Sequence, residues 1–477
     1  MKIINASKVK PFSTTVVHWI LALYVVYGVL MWEVALNIKY YYIILSVFLI
    51  LNIYIYISLK SKNQIITLTD IFKNIFNNIK VFDAIVFLFL IANCVWIFVV
   101  PRSKGFSTSL AIQESGILLI LILYFPLAIL IRMKEIDFRL IIKSFTIITS
   151  VLAVWYVLIW SAEVCFPGAY QGFFDFLKNV PGHLFKVGDV YKGWSSVRIV
   201  LANCILLVSG LLFTINKKQK YTIFDYLMII IFTFAILCTY LKSIWLGLII
   251  GILILAVSSL IQKEGKNANI WKAIITISIS FIVLNFTVFG GSTFTRLFNG
   301  FSTSSHQATL VSSGVQNKAE SGSTKVDKKL LQDNKIISDT AASNTEKLVQ
   351  IKKLTNQWKQ SPFIGFGYGS YIKDYLRSPT VVYAYEMTAF SLLMKVGIVG
   401  ALCWLLLLFA PCVHIYRNYR NNKIGKNRVA LWIAVALAFI VSIQTNPLLF
   451  TASSMNLILI LVLYSVDFES KESIKAD

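Results

Sequence analysis

The chain has 477 residues, 57% of them hydrophobic and only 14% charged, where a soluble protein carries about 25% charged residues. That balance excludes a soluble globular enzyme and describes an all-α polytopic membrane protein, with about twelve apolar runs near the length that crosses a bilayer. The net charge of +23 collects in alternate connections between those runs, as the positive-inside rule requires. It is therefore read as topology and not as a nucleic-acid footprint.

In chain order the spans are predicted near 14–36, 40–59, 82–100, 109–131, 140–162, 197–215, 225–241, 243–262, 270–290, 388–415, 429–449 and 453–467. Lys2, Lys8 and Lys10 precede the first span with no small-residue cleavage site, so that span is expected to be its own targeting signal. The seventh and eighth nearly abut, which predicts a hairpin around Tyr240–Ser243. Basic clusters such as Lys217/Lys218/Lys220 and Arg417/Arg420/Lys423 mark the cytoplasmic side. Both termini then face the cytoplasm, and the long segment before the last three spans faces out. Three regions follow: 1–290, spans one to nine with an outer loop at 163–196; 291–387, extracytoplasmic; and 388–477, the last three spans and a cytoplasmic tail.

Cys94, Cys204, Cys238, Cys403 and Cys412 fall within or at the ends of apolar spans, and Cys165 alone sits in an outward loop. They make no disulfide framework. The four histidines, His18, His183, His306 and His414, are scattered without metal-ligand spacing. No metal and no cofactor is expected.

Loop 163–196 mixes aromatics with Pro and Gly and suggests a short helix near Gly172–Asn179 and a turn at Pro181-Gly182. Residues 302–343 are rich in Ser, Thr, Asn, Gln and Lys, too polar to offset the entropy of ordering, and are expected to be flexible. Residues 344–361 set Leu348, Ile351, Leu354 and Trp358 at helical spacing, with Pro362 as the stop. A glycine loop, 362–371, follows in "SPFIGFGYGSY". Gly365, Gly367 and Gly369 permit positive φ and close backbone approach. Taken alone they describe a tight turn against helices as well as any ligand loop. Glu114 lies inside the fourth span, where an acid is a functional candidate or a partner for a neighbouring Lys or Arg.

"KLVQIKKLTNQWKQSPFIGFGYGSY" followed by "YEMTAFSLLMKVGIVGAL" resembles the signature region of the O-antigen ligase and O-antigen polymerase superfamily. Those proteins are bacterial inner-membrane glycosyltransferases. Pro362, Gly365 and Gly367 match the family's "P-x-x-G-x-G" block, and Leu393, Gly397 and Gly400 match its second block. The family's helix-opening Arg falls on Lys347, and its His falls on Glu386. Its Ser-Arg-Gly type position falls on Lys242 in "TYLKSIWLGL", and a fourth basic position on Arg198. The cations keep their sign; the histidine has become a carboxylate. The chain reads as a divergent member.

The resemblance implies a polyprenyl-pyrophosphate-linked glycan as donor and an acceptor glycan or lipid hydroxyl, met at the outer face of the bilayer. Arg198, Lys242 and Lys347 would hold the pyrophosphate and offset its developing charge without a metal. Glu386 would accept the acceptor's proton as a general base, with burial adjusting its basicity. Tyr368, Tyr385 and the three glycines would contact glycan or shape the loop. Each has a plainer reading: Lys242 as a snorkelling anchor, Lys347 as a solvated face, Glu386 as a first-turn acid, Tyr368 as an interfacial aromatic. A polymerase is favoured slightly over a ligase. The alternatives are a transporter or flippase of lipid-linked glycan, and a non-catalytic relative that binds it.

Overall fold

A computed structural model describes residues 38–61, 80–166, 189–191, 198–200, 202–216, 220–261, 268–289, 344–377, 381–420 and 426–470, with Trp19, Leu23 and Tyr24 ahead of them. Most of the first predicted span, the stretch 302–343 expected to be flexible, and most of the outer loop lie outside the described residues, as do His18, His183 and His306.

The described chain is a helical bundle. α1 is Ile38–Ser61. α2 is Val81–Cys94, prolonged by a π-helical turn, Val95–Val99, and a last turn, Val100–Ser103. α3 (Thr108–Ser115) runs through a 3-10 stretch, Gly116–Leu123, into α4 (Tyr124–Arg132), and α5 is Phe138–Cys165. Next come α6 (Ile205–Ile215), α7 (Ile223–Cys238), α8 (Lys242–Ile261) and α9 (Ala268–Thr287). α10 covers 344–359. The final helices are α11 (Thr388–Arg420), α12 (Lys426–Ser442) and α13 (Ala452–Ser470).

Seven stretches among the described residues are helical, long and apolar enough to cross a membrane, and Ile205–Ile215, Ile223–Cys238 and Ala452–Val466 are shorter apolar helices. The protein is thus a multi-pass helical membrane protein. One addition to the predicted architecture is a small antiparallel ribbon, β1 (Asp189–Tyr191) with β2 (Arg198–Val200), in the register Asp189↔Val200. The predicted span 197–215 therefore starts as a strand, and its helix begins only after a 3-10 turn, Ala202–Cys204.

Local chemistry explains the helix ends. Thr222 and Asp225 form a reciprocal capping box at the start of α7. α7 stops at Cys238, and Tyr240, at φ 51°, turns the chain into α8, where the near-abutting spans predicted a hairpin. Small residues bring α8 against its neighbours: a Cβ on Gly247 would collide with Ser442 and the Ala438 carbonyl of α12, and one on Gly251 with Leu212 of α6. Close backbone approach of this kind takes the place of a hydrophobic driving force inside a bilayer. Away from the glycine loop, Arg132 grips Asp83 with two bonds of 2.8 Å, while the Tyr124 hydroxyl donates to the same carboxylate. A buried charge inside the bundle is tolerated when paired in this way.

Candidate functional site

α11 is broken inside its apolar run. Gly397 sits at φ 62°, ψ −168°, a conformation that interrupts the helical hydrogen bonds. The glycine loop restores them on both sides of the break. Phe366 and Gly367 N–H donate to the carbonyls of Met394 (3.1 Å) and Lys395 (2.7 Å), while Ile398 and Val399 N–H donate to those of Pro362 (2.9 Å) and Phe363 (3.0 Å). Irregular backbone at membrane depth needs such protein partners, since lipid offers none.

The loop can pass this closely because its glycines are left-handed: Gly365 at φ 74°, Gly367 at 86° and Gly369 at 72°. A Cβ on Gly365 would strike the Lys395 carbonyl, on Gly367 the Pro101 ring, and on Gly369 the backbone of Leu110 and Ala111. α2 is prepared for the contact. Its π-helical turn leaves the Trp96 carbonyl to accept from Tyr368 N–H at 3.0 Å, and the Trp96 indole donates to the Ile364 carbonyl at 2.7 Å. Tyr368 is fully buried, donating to Asn93 at 2.5 Å and accepting from the Trp404 indole at 3.0 Å. Burial pushes its phenol well above the ordinary tyrosine range. Tyr368 is thus set as a wedge between helices.

Under the loop lies a charge pair. Lys395, 1% exposed, donates to Glu114, 4% exposed. The second Glu114 oxygen accepts from Gly369 N–H at 2.7 Å, and the Lys395 ammonium also donates to the Tyr383 carbonyl at 2.8 Å. The pair borders a cavity of about 30 Å³ lined also by Tyr383, Tyr385, Thr388 and Ser391, room for about one water molecule. Lys395 escapes the sequence reading although it lies inside a quoted motif. The signal was there: a lysine in an apolar run two residues before the helix-breaking glycine, where an ionisable group is functional by default.

Above the pair, Glu386 and Lys347 come together, their carboxylate and ammonium 3.8 Å apart. A third group joins them that no motif marked. Arg377 donates to Glu386 at 2.7 Å and reaches Glu346 at 3.4 Å. These charges are part exposed, with Glu386 at 24%. Burial opposes ionisation of Arg377, but the Glu386 hydrogen bond and charge prevail and hold its pKa above the usual guanidinium value. Tyr385 straps the cluster: its hydroxyl accepts from Ile372 N–H at 2.7 Å and contacts the Tyr375 carbonyl at 3.3 Å. Burial, with the Glu114 charge adding to it, pushes Tyr383 and Tyr385 up to about 12. Gln350 on α10 accepts from Met387 N–H at 2.9 Å, which fixes α10 to the start of α11.

Lys242 opens α8 at this same end of the bundle. The neighbouring Ser243 hydroxyl accepts from Asn446 at 2.9 Å, and the Asn446 carbonyl accepts from Thr388, two residues after Glu386. Arg198 lies in β2 by its backbone, but its side chain is outside the described residues. Of the apolar face predicted for α10, Leu354 is buried and Ile351 and Trp358 are part buried, while Leu348 is 67% exposed. Among the described residues no group of three or more His, Cys, Asp or Glu is placed to hold a metal ion, and Cys94, Cys165, Cys204, Cys238, Cys403 and Cys412 are all free thiols.

Fold and site together define a multi-pass membrane protein in which a glycine loop is stitched through a broken helix beneath a cluster of opposed charges. Residues 227–405 match the O-antigen ligase family, so the resemblance read from the sequence holds across that stretch. It includes Lys242, Lys347, the glycine loop, Glu386 and Gly397, and it leaves out Arg198 and Glu114. The match points to a membrane-embedded, glycan-transferring enzyme. No curated protein and no solved structure matches the chain.

Proposed function

We propose that this protein transfers a glycan from a polyprenyl-pyrophosphate donor to an acceptor hydroxyl at the outer face of a bacterial inner membrane, without a metal. The observation that carries the reading is the convergence of Glu386, Lys347 and Arg377 over the broken helix, inside the stretch that matches the O-antigen ligase family. Lys347, Arg377 and Lys242 are the donor-side cations; they hold the pyrophosphate and offset the charge that grows as it leaves. Arg377 brings planar, two-pronged contacts that the two lysines do not. Glu386 takes the acceptor's proton as the new glycosidic bond forms. Arg198 stays a candidate for the same anion. A growing chain as acceptor would make the protein a polymerase, the branch preferred here, and a lipid core would make it a ligase.

The test is complementation of a knockout with wild type, Glu386→Gln or Lys242→Ala, reading surface glycan length. Transfer by wild type and by neither variant supports the reading; full transfer by both removes the assigned site. Transport of a lipid-linked glycan has the broken helix in its favour, because transporters build midplane sites from discontinuous helices. It predicts that Glu386→Gln leaves glycan polymerisation or ligation intact.

A further inference from the structure

We infer that the buried Lys395–Glu114 pair is a positioning device, which sets the geometry of the Glu386–Arg377 cluster above it. The inference rests on the transferase reading for its activity arm only.

The argument is one of connectivity. Glu386 and Arg377 belong to two short stretches, 381–387 and 371–377, neither of them helical. Two contacts hold them down. The Lys395 ammonium donates to the Tyr383 carbonyl, fixing the first stretch three residues before Glu386. The Tyr385 ring lies 5.8 Å from that ammonium, while its hydroxyl bonds backbone on both sides of the second stretch, at Ile372 and Tyr375. Lys395 is itself oriented by Glu114, whose other oxygen is taken by Gly369 N–H. Helix break, glycine loop and both charged turns are thus linked through the Lys395–Glu114 pair, the glycine loop by Glu114 and the 371–377 turn by way of Tyr385.

Stability does not explain the pair. A buried ion pair adds little net stability, because desolvation offsets its attraction, and apolar residues of similar volume often replace it without loss. Four segments linked through one buried pair is the geometry of a device that specifies position. Neither Lys395 nor Glu114 needs to touch substrate for this.

The experiment compares three full-length chains in detergent and in the knockout strain. Glu114→Gln/Lys395→Met removes both charges, Tyr385→Phe removes only the hydroxyl strap, and wild type is the control. Each is melted, scored for glycan transfer, and, in a background without native cysteines, spin-labelled at Leu376 and Leu348, both exposed. The expected result for the double variant is a near wild-type Tm, a broadened 376–348 distance distribution, and transfer reduced roughly 100-fold, the scale on which a misplacement of about 1 Å acts. Tyr385→Phe, which leaves the buried pair in place, is expected to broaden the distribution and reduce transfer more mildly. Should the double variant fail to fold, Glu114→Asp, which keeps both charges but draws the carboxylate back from Lys395 and Gly369 N–H, decides by the same two readouts. A sharp, unchanged distance distribution in the folded variants overturns the inference, as does wild-type transfer by them. If wild type transfers no glycan while the variants still broaden, the positioning role stands and the transferase reading falls.

Discussion

The knot at Gly397 and the charge cluster at Glu386 are neighbours in sequence and opposite in construction. In the knot each polar group of the crossing is met by another: loop N–H groups by helix carbonyls, Tyr368 by Asn93 and Trp404, Lys395 by Glu114. Tyr368, Lys395 and Glu114 within it are buried, and its glycines leave no room for a Cβ. In the cluster three charges share solvent, and Lys347 meets Glu386 at only 3.8 Å. Replacing a glycine of the knot, or one partner alone of its buried charge pair, is expected to cost folding stability. Residues of the cluster are part exposed and are expected to be replaceable at little cost in folding.

The comparison is broken most forcefully inside the knot. Gly367→Val should destabilise the protein by about 3–6 kcal/mol, summing left-handed strain and an overpacked contact with Pro101; size-exclusion profiles of the membrane-extracted protein check it, and a monodisperse variant with unchanged Tm would contradict it. Lys395→Met alone strands the Glu114 charge in the interior, an effect on the order of 3–5 kcal/mol, to be read as a drop in Tm that the double Glu114→Gln/Lys395→Met change largely restores. In the cluster, Glu386→Gln should shift stability by less than about 1 kcal/mol, as a part-exposed ion pair allows, and its thermal melt should overlay wild type.

Alkaline pH sharpens the contrast further. Tyr383 and Tyr385 titrate at about 12 in the folded chain against about 10 unfolded, so the folded state holds its protons longer. Their contribution is complete below pH 10 and is lost as pH rises through 12. Melts taken across that window should fall less steeply for Tyr385→Phe than for wild type. The smallest effect belongs to Lys353→Ala, which breaks a solvent-exposed contact with Asp374; neither Tm nor glycan transfer should move.

Much of the bundle was legible because apolar runs of bilayer length leave few alternatives, and the described helices lie where those runs predict them. The start of β2 was not: "RIVLANC" is as apolar as a helix end, and only the pairing with β1 makes it a strand. Gly365, Gly367, Gly369 and Gly397 were marked by motif, although their shared purpose, repairing a broken helix, needs three dimensions. Lys395 was hidden by the greasy run around it. Arg377 was hidden for a different reason, since it lies in the variable stretch between the two motif blocks and reaches Glu386 only through the fold of 371–387. Leu348 was placed on the buried face by its spacing, as Leu354 was, yet at that end of α10 Gln350 is buried in its place and accepts from Met387 N–H.

The most direct measurement is the surface glycan of a knockout strain complemented with wild type or with Glu386→Gln, at matched amounts of membrane-inserted protein. The account predicts full-length glycan from wild type and single-repeat or absent glycan from Glu386→Gln. Wild-type glycan from the variant would contradict it and remove Glu386 from the chemistry.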